Sequence, residues 1–199
     1  MYPLFETVCV IRHTIQHAHY HEQRFQKSYF HFFGKNPDFA LFDTVKLPQL
    51  EAGVKYKLKV SYGETNARWS LTPYVNPIPA SLQLVVANSI AYDSKFTDRN
   101  HLNALHNQRN NADDVLIVKN GYITDSSYAN IAFKKGEAIH TPKNPLLQGT
   151  CRARLIFAKR MIEKELKPRH LEQYDGFQLI NAMNDLDENR WVAISHIAH

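Results

Sequence analysis

Residues 110–133, NNADDVLIVKNGYITDSSYANIAF, decide the fold of this chain. Residues 115–118 form a short apolar run rich in β-branched side chains, which is typical of a buried strand. Asn120-Gly121 predicts a two-residue hairpin turn, because both residues tolerate a positive φ. The return strand passes the carboxylate of Asp125 before it reaches Asn130. Buried polar groups need partners, so these two side chains either satisfy the protein's own backbone or face a ligand.

The composition describes a globular protein whose 199 residues suffice for one large domain or two small ones. Hydrophobic residues make up 44% of the chain, which excludes disorder, and polar side chains interrupt the longest apolar stretch, residues 82–92. The N-terminal residues show no signal-peptide pattern, and the only cysteines are Cys9 and Cys151. We therefore expect a cytoplasmic protein without a membrane partner or a disulfide framework.

The net charge of +5 raises the question of nucleic-acid binding. Lysines and arginines are scattered among acidic residues, however, and no long basic run occurs. The charge pattern therefore favours an enzyme with an anionic cofactor and an anionic small-molecule substrate over a nucleic-acid-binding protein.

Alternating histidines near the N-terminus raise the possibility of a zinc site. His17, His19 and His21 would share one face of a strand, and His13 is near. No carboxylate or cysteine at ligand spacing completes the set, so we predict no metal site.

Hydrophobic spacing predicts a mixed α and β chain. Helices are expected at residues 21–33, 100–110 and 150–166, and strands at 5–11, 15–20, 55–62, 68–74, 82–87, 138–141, 177–181 and 191–195 in addition to the two around the hairpin turn. Closely spaced prolines place an interdomain linker near residues 75–81. We expect a small N-terminal α/β domain over residues 1–78 and a larger C-terminal domain over residues 79–199.

Three motifs together resemble the fold-type IV (class IV aminotransferase) family of pyridoxal-phosphate enzymes. In that family a cofactor-binding lysine precedes a strand, a G-[YR]-[VI]-[TS]-E turn strand and an S-x-N segment. Here Lys95 occupies the lysine position, residues 121–125 are GYITD, and residues 127–130 are SYAN. Asp125 replaces the family's glutamate. The resemblance implies a two-lobed α/β (α+β) fold like that of D-amino acid aminotransferase, with pyridoxal 5′-phosphate between the lobes, and a homodimer.

Lys95 is the candidate for covalent attachment of the cofactor and for catalysis. A nucleophilic lysine must be partly deprotonated at neutral pH, which requires burial or a neighbouring cation. Lys95 follows an apolar strand and precedes Arg99, and the family's K-x-x-[ND]-R pattern reads KFTDR here.

The same resemblance implies a set of further cofactor ligands. Arg24 matches the phosphate-binding arginine of H-x-x-R, and the sequence GTCR at residues 149–152 matches G-I-T-R, so the amides of Thr150 and Cys151 would bind phosphate at a helix N-terminus. Asp125 and Asn130 would contact the ring side of the site. Asn181 and Ala182 belong to a late phosphate loop, NAM, which is more similar to aminodeoxychorismate lyases than to the aminotransferases.

Two more matches favour the lyase branch of the family. Thr7, in FET, is where the lyases carry a catalytic hydroxyl, and Arg68 matches a hairpin arginine that is a candidate for a substrate carboxylate. The resemblance implies conversion of 4-amino-4-deoxychorismate to 4-aminobenzoate and pyruvate, a step of folate biosynthesis. A branched-chain or D-amino acid aminotransferase and a non-enzymatic basic binding protein that kept the fold are the alternatives.

Overall fold

The computed structural model describes residues 2–75 and 78–199. The chain divides into two compact units, the first made of Met1–Pro77 with Ser94–Asp98 and the second of Ile78–Asp93 with Arg99–His199. Asn76 and Pro77, which belong to the expected linker, lie outside the described residues. The domain boundary between residues 78 and 79 stays a prediction.

The first unit is a four-stranded antiparallel sheet in the order β2-β1-β3-β4 with one helix. Its elements are β1 (Leu4–Ile11), β2 (Thr14–Ile15), α1 (Ala18–Phe33), β3 (Tyr56–Tyr62) and β4 (Ala67–Pro73). One face of β1 contributes Leu4 and Val8 to a core that includes Phe25 and Tyr29 of α1. Successive residues of β1 therefore lie on opposite faces of the sheet, one face toward the helix and one away from it.

Helix α1 begins earlier than the sequence predicts. His17 adopts a left-handed conformation with φ 53° and starts the helix, so the strand expected at residues 15–20 is limited to β2. At the other end Gly34, with φ 73°, donates its N–H to the Phe30 carbonyl and ends the helix where predicted.

The segment Ser94–Asp98 belongs to the first unit because its backbone bonds to the start of β1. Phe5 N–H donates to the Lys95 carbonyl at 3.0 Å, and Thr97 N–H donates to the Pro3 carbonyl at 2.7 Å. Leu4 and Phe96 form an isolated β-bridge. The backbone of Lys95 is thereby held against β1.

The second unit contains two sheets, in the orders β13-β5-β6-β7 and β10-β9-β8-β11-β12. Its strands are β5 (Leu82–Val86), β6 (Asp114–Lys119), β7 (Tyr122–Ser126), β8 (Asn130–Lys135), β9 (Ala138–Pro142), β10 (Ile162–Lys164), β11 (Gly176–Ile180), β12 (Val192–Ala193) and β13 (Ile197–Ala198). Its helices are α2 (Asn100–His106) and α3 (Thr150–Phe157), with short 3₁₀ turns at Pro168–Gln173 and Ile194–His196.

The hairpin between β6 and β7 confirms the predicted turn. Lys119 pairs with Tyr122, and Asn120 and Gly121 have φ values of 52° and 80°. Beyond Ile123 the register shifts before Ser126 pairs with Leu116, which marks a bulge at Thr124 and Asp125. Bulges redirect side chains, and here the affected residue is the candidate carboxylate.

The helix expected at residues 150–166 is shorter than predicted, and so is the one expected at 100–110. Lys159, with φ 56°, turns the chain after α3, and residues 162–164 become β10, which pairs in parallel with β9. Met161 is buried and Ile162 is exposed, so the apolar spacing does not continue one helical face. The strand expected at 191–195 is likewise only β12.

None of the helices in the described part of the chain is long and apolar enough to cross a bilayer.

Candidate active site

A buried carboxylate organises the charged residues of the first unit. Glu6 of β1 is fully buried and lies on the face of the strand that packs against α1. Arg24 of α1 donates to it from Nε at 2.8 Å and from Nη2 at 2.6 Å. His21, one turn earlier, is bonded through Nδ1 to Oε2 at 2.6 Å. Because an ionised carboxylate only accepts hydrogen bonds, Nδ1 carries the proton.

The charges of this cluster balance. Burial alone would raise the pKa of Glu6, but the Arg24 guanidinium and the hydrogen bonds from His21 and Arg24 lower it to about 2. Burial also lowers the pKa of His21, against the hydrogen bond and charge of Glu6. At neutral pH the cluster is therefore a carboxylate and a guanidinium beside a neutral imidazole.

The role of Glu6 is absent from the sequence prediction, although FET was part of the resemblance. The sequence signal for this role was a single carboxylate in a strand of apolar residues. It precedes by 15 residues a histidine, His21, that shares a helix face with Arg24 at i and i+3. The structure pairs Arg24, the predicted phosphate ligand, with this carboxylate.

The opposite face of the same sheet carries three other predicted residues. Phe5 pairs with Ser61, which pairs with Arg68, so these three side chains share a row across three strands. Thr7 is two residues from Phe5 and shares its face. The Nζ of Lys95 lies 4.9 Å from the Phe5 ring centroid. Thr7, Arg68 and Lys95 are thus brought to one face of the first sheet.

A second buried carboxylate lies in the second unit. Asp125, which is 4% exposed, accepts hydrogen bonds from Asn130 Nδ2 at 2.8 Å and from the Leu147 N–H at 2.9 Å. Burial raises the pKa of Asp125 to about 6, because its hydrogen bonds and the charge of Arg152 offset only part of the desolvation. Asp125 is therefore a buried acid whose hydrogen-bond donors in the described structure, Asn130 and the backbone of Leu146 and Leu147, carry no charge.

The Asn130 side chain forms hydrogen bonds with other groups of the protein, which was one of the two alternatives that the sequence left open; the other was contact with a ligand. Besides Asp125, its Nδ2 donates to the Leu147 carbonyl at 2.9 Å. A Cβ on Gly149 would lie 1.8 Å from the Asn130 Oδ1, so only glycine fits at the start of α3. Asn130 therefore positions Asp125 and fixes where the helix begins.

The predicted residues at the start of α3 are buried. Thr150 and Cys151 are its first two residues, and both are 5% exposed. Burial, with the charge of Asp185, raises the pKa of the Cys151 thiol to about 12. The thiol therefore stays protonated, while the backbone at this end of the helix carries the positive dipole end.

Arg152, also in the GTCR motif, is bonded to protein groups. Its Nη2 donates to the Pro142 carbonyl at 2.8 Å and to Glu163 Oε1 at 2.5 Å, and its Nη1 donates to Gln148. Its guanidinium therefore links α3 to the ends of β9 and β10.

Asn181 and Ala182 follow β11 in a tight turn. The Asn181 Oδ1 accepts from the N–H groups of Met183 at 2.9 Å and Asn184 at 3.0 Å. The Asn181 N–H donates to the Asn184 carbonyl. Asn181 thus shapes the loop with its side chain, and both Asn181 and Ala182 are half-buried.

The alternating histidines do not lie on a strand. His17 is the N-terminal cap of α1, and His19 and His21 are helical, so the geometry assumed for a shared face was wrong. Within residues 2–75 and 78–199 we find no group of three or more His, Cys, Asp or Glu side chains that could hold a metal ion.

Comparison with known proteins identifies the relatives of this chain. The sequence model of amino-transferase class IV matches residues 3–186. An uncharacterized protein of Haemophilus influenzae is 33% identical over 188 residues, which cover 94% of this chain and 100% of that protein.

Solved structures agree with this match. A proposed 4-amino-4-deoxychorismate lyase of Haemophilus somnus is 30% identical, with a TM-score of 0.83 over 94% of this chain and 98% of that one. A hypothetical aminotransferase of Mycobacterium tuberculosis, solved in its PLP-bound form, is 16% identical, with a TM-score of 0.69 over 96% of this chain and 82% of that one. The latter likeness shows the fold alone.

Proposed function

Because the chain belongs to the class IV aminotransferase family, we propose that it is a pyridoxal-phosphate enzyme that converts 4-amino-4-deoxychorismate to 4-aminobenzoate and pyruvate. The lyase reaction, a step of folate biosynthesis, is supported by the likeness to the Haemophilus somnus protein. The observation that carries the proposal is the shared face of Thr7, Arg68 and Lys95 on the first sheet.

The residues of the second unit fit the cofactor. Asp125 is a buried carboxylate with neutral hydrogen-bond donors, and its pKa is raised even though the charge of Arg152 acts on it. A protonated ring nitrogen would supply a directly bonded cation. The amides of Thr150 and Cys151 begin a helix, where phosphate binds favourably. The loop at Asn181 and Ala182 would contribute further phosphate contacts.

Lys95 would be the covalent attachment point and Arg24 a phosphate ligand. Glu6 orients the Arg24 guanidinium through two hydrogen bonds, which limits its rotation before any anion binds. An arginine held in this way loses little conformational entropy when it binds phosphate.

When bound, the cofactor supplies an electron sink for the electrons left by proton removal. The protein's residues supply the remaining steps. Lys95 would become a free amine once the substrate amine has replaced it on the cofactor, and it would then take the proton from the amine-bearing ring carbon, while Thr7 would pass a proton to the departing enolpyruvyl group. Arg68 would bind one substrate carboxylate. Aromatisation of the ring provides the driving force. The amino group leaves with the product, so no keto acid is required.

The deciding experiment is a product assay on the purified, cofactor-loaded protein with aminodeoxychorismate and no keto acid. We expect catalytic release of 4-aminobenzoate and pyruvate, and none from Lys95→Ala. Formation of pyridoxamine phosphate from a branched-chain or D-amino acid, without 4-aminobenzoate, would instead establish an aminotransferase.

Attachment to Lys95 is tested separately. Borohydride reduction followed by peptide mapping should leave the pyridoxyl label on Lys95 alone. A label on another lysine would remove Lys95 from the site.

We also propose a homodimer and a cytoplasmic location. The dimer follows from the family resemblance, and sedimentation equilibrium would detect a monomer if this is wrong. Cys9 and Cys151 form no disulfide, which is consistent with a reducing compartment.

A further inference from the structure

Lys59 is an additional cation on the face of the first sheet that carries Thr7, Arg68 and Lys95. It pairs with Thr7 on β1, so the two side chains point to the same side of the sheet. Its Nζ lies 4.7 Å from the Phe5 ring centroid, and the Nζ of Lys95 lies 4.9 Å from the same centroid. One aromatic ring is thus contacted by two ammonium groups.

Arg68 lies diagonally across from Lys59. Lys59 pairs with Ser70 on β4, and Arg68 is two residues from Ser70 on the same face. Diagonal neighbours in an antiparallel pair are separated by roughly 7–8 Å, so the two cations can bind two separate anionic groups. The Arg68 guanidinium carbon lies 4.8 Å from the Tyr2 ring centroid.

Among residues 2–75 and 78–199, neither Lys59 nor Arg68 forms an ion pair, so the positive charge of both is without a counterion in this part of the chain. The described side-chain contacts of both are with aromatic rings. Like charges on one surface repel, and an anionic ligand relieves that repulsion. A dianion would do so more completely than a monoanion.

We propose that Lys59 binds a second carboxylate of the substrate, distinct from the one bound by Arg68, so that the enzyme selects amines that carry two carboxylates. This rests on the proposed function, in which Arg68 binds the first carboxylate. Lys59 is then a specificity-determining residue of the same site.

Lys57 provides a matched control. It is on the same strand and face as Lys59, is half-buried like Lys59, and pairs with Cys9, one step farther from Phe5. Lys57→Met and Lys59→Met remove the same charge from the same sheet, so a difference between them reports position and not net charge.

The experiment measures binding by calorimetry to the cofactor-loaded protein with three probes. Chorismate carries two carboxylates and a hydroxyl in place of the amine, so it binds without reacting, and isophthalate and benzoate compare two carboxylates with one. We expect Lys59→Met to weaken chorismate and isophthalate about tenfold, as for one charge-assisted contact, and benzoate by less than threefold. Lys57→Met should change all three by less than threefold.

Lys59→Arg, which retains the charge, should keep the preference for isophthalate over benzoate. The proposal is overturned if the wild type binds isophthalate no more tightly than benzoate, or if Lys59→Met and Lys57→Met weaken chorismate equally. These readings need no turnover. Failure of the wild type to release 4-aminobenzoate would therefore reject the lyase reaction, whereas the dicarboxylate preference would still be decided by the binding measurements.

Discussion

Glu6 in the first unit and Asp125 in the second are both almost inaccessible to solvent, yet their pKa values shift in opposite directions. The pKa of Glu6 is lowered to about 2, whereas that of Asp125 is raised to about 6. Burial acts on both in the same sense. The difference comes from the partners. Glu6 is hydrogen-bonded to a guanidinium, whereas Asp125 is hydrogen-bonded to neutral donors and the charge of Arg152 lowers its pKa only in part.

This difference separates two uses of a buried carboxylate. Glu6 has its cation within the fold, so its charge stabilises the unit and orients Arg24. Asp125 is held in place by Asn130 and the Leu147 amide, but its charge is not neutralised by them. We propose that the protonated ring nitrogen of the cofactor is the missing cation.

The largest expected effect is on the stability of the first unit. Glu6→Gln leaves the Arg24 guanidinium without its carboxylate, which typically costs about 3–5 kcal/mol for a buried pair. Urea denaturation of the apoprotein at pH 7 measures this loss. Glu64→Gln, which breaks an exposed pair with Lys35, is the control and should change the free energy of unfolding far less than Glu6→Gln does.

The pH dependence has a definite sign. The folded pKa of Glu6 lies below its ordinary value of 4.5, so its contribution is present above pH 4.5 and is lost as the pH falls toward 2. Equal stability of Glu6→Gln and wild type at pH 7 would show that the cluster is not an ion pair.

The next effect has the opposite sign and concerns Asp125. Its folded pKa of about 6 exceeds the ordinary 3.8, so ionisation costs the apoprotein about 2 kcal/mol as the pH rises from 4 to 7. Asp125→Asn lacks this ionisation. The free energy of unfolding of wild type minus that of the variant should therefore fall across this pH range.

Asp113→Asn is the matched control. The hydrogen bonds that Asp113 accepts from the Ala80 N–H and Ser81 lower the pKa of its exposed carboxyl. The corresponding difference should therefore stay nearly constant from pH 4 to 7 and decrease only as the pH falls below 3.8. If the difference in unfolding free energy between wild type and Asp125→Asn does not change with pH, the two buried carboxylates do not differ in the way described.

In the cofactor-loaded enzyme, Asp125→Asn should reduce kcat more than it reduces cofactor affinity.

The smallest expected effect on a measured equilibrium concerns binding of the phosphate. Arg24→Ala also breaks the buried pair with Glu6, so circular dichroism first verifies that the variant is folded. Arg24→Ala should raise the dissociation constant of pyridoxal phosphate about tenfold to a hundredfold, the range for loss of a charge-assisted contact, and should change kcat at saturation less. Fluorescence titration of the apoprotein measures the affinity. Arg12→Ala removes an exposed arginine of the same unit and should leave it unchanged. Equal affinities for both variants would mean that Arg24 serves Glu6 alone.

Much of the fold was predictable because its signals are local. The dipeptide Asn120-Gly121 predicts the hairpin turn, and the apolar run of residues 115–118 predicts β6. The end of α3 was missed because residues 150–166 hold enough apolar side chains to imitate a longer helix, whereas pairing with β9 decides the state of residues 162–164.

The candidate site was predictable residue by residue from motifs, but its pairings were not. Glu6 was visible in the sequence, yet its bond to Arg24 depends on how α1 packs against β1. The Leu147 amide could not be predicted as a donor to Asp125, because backbone groups carry no sequence signature. Lys59 lies in a strand of alternating polar and apolar residues, and this pattern is equally typical of a strand whose polar face is simply exposed to solvent.

The central claim is that the cofactor supplies Asp125 with a directly bonded cation in addition to the charge of Arg152, and carbon-13 NMR of its carboxyl tests this most directly. The resonance is identified by its loss in Asp125→Asn and titrated with and without pyridoxal phosphate. In the apoprotein the midpoint should lie near pH 6, and with the cofactor bound it should fall to well below that value, because a nearby positive charge favours the carboxylate. A midpoint that stays near pH 6 after the cofactor binds would contradict the account.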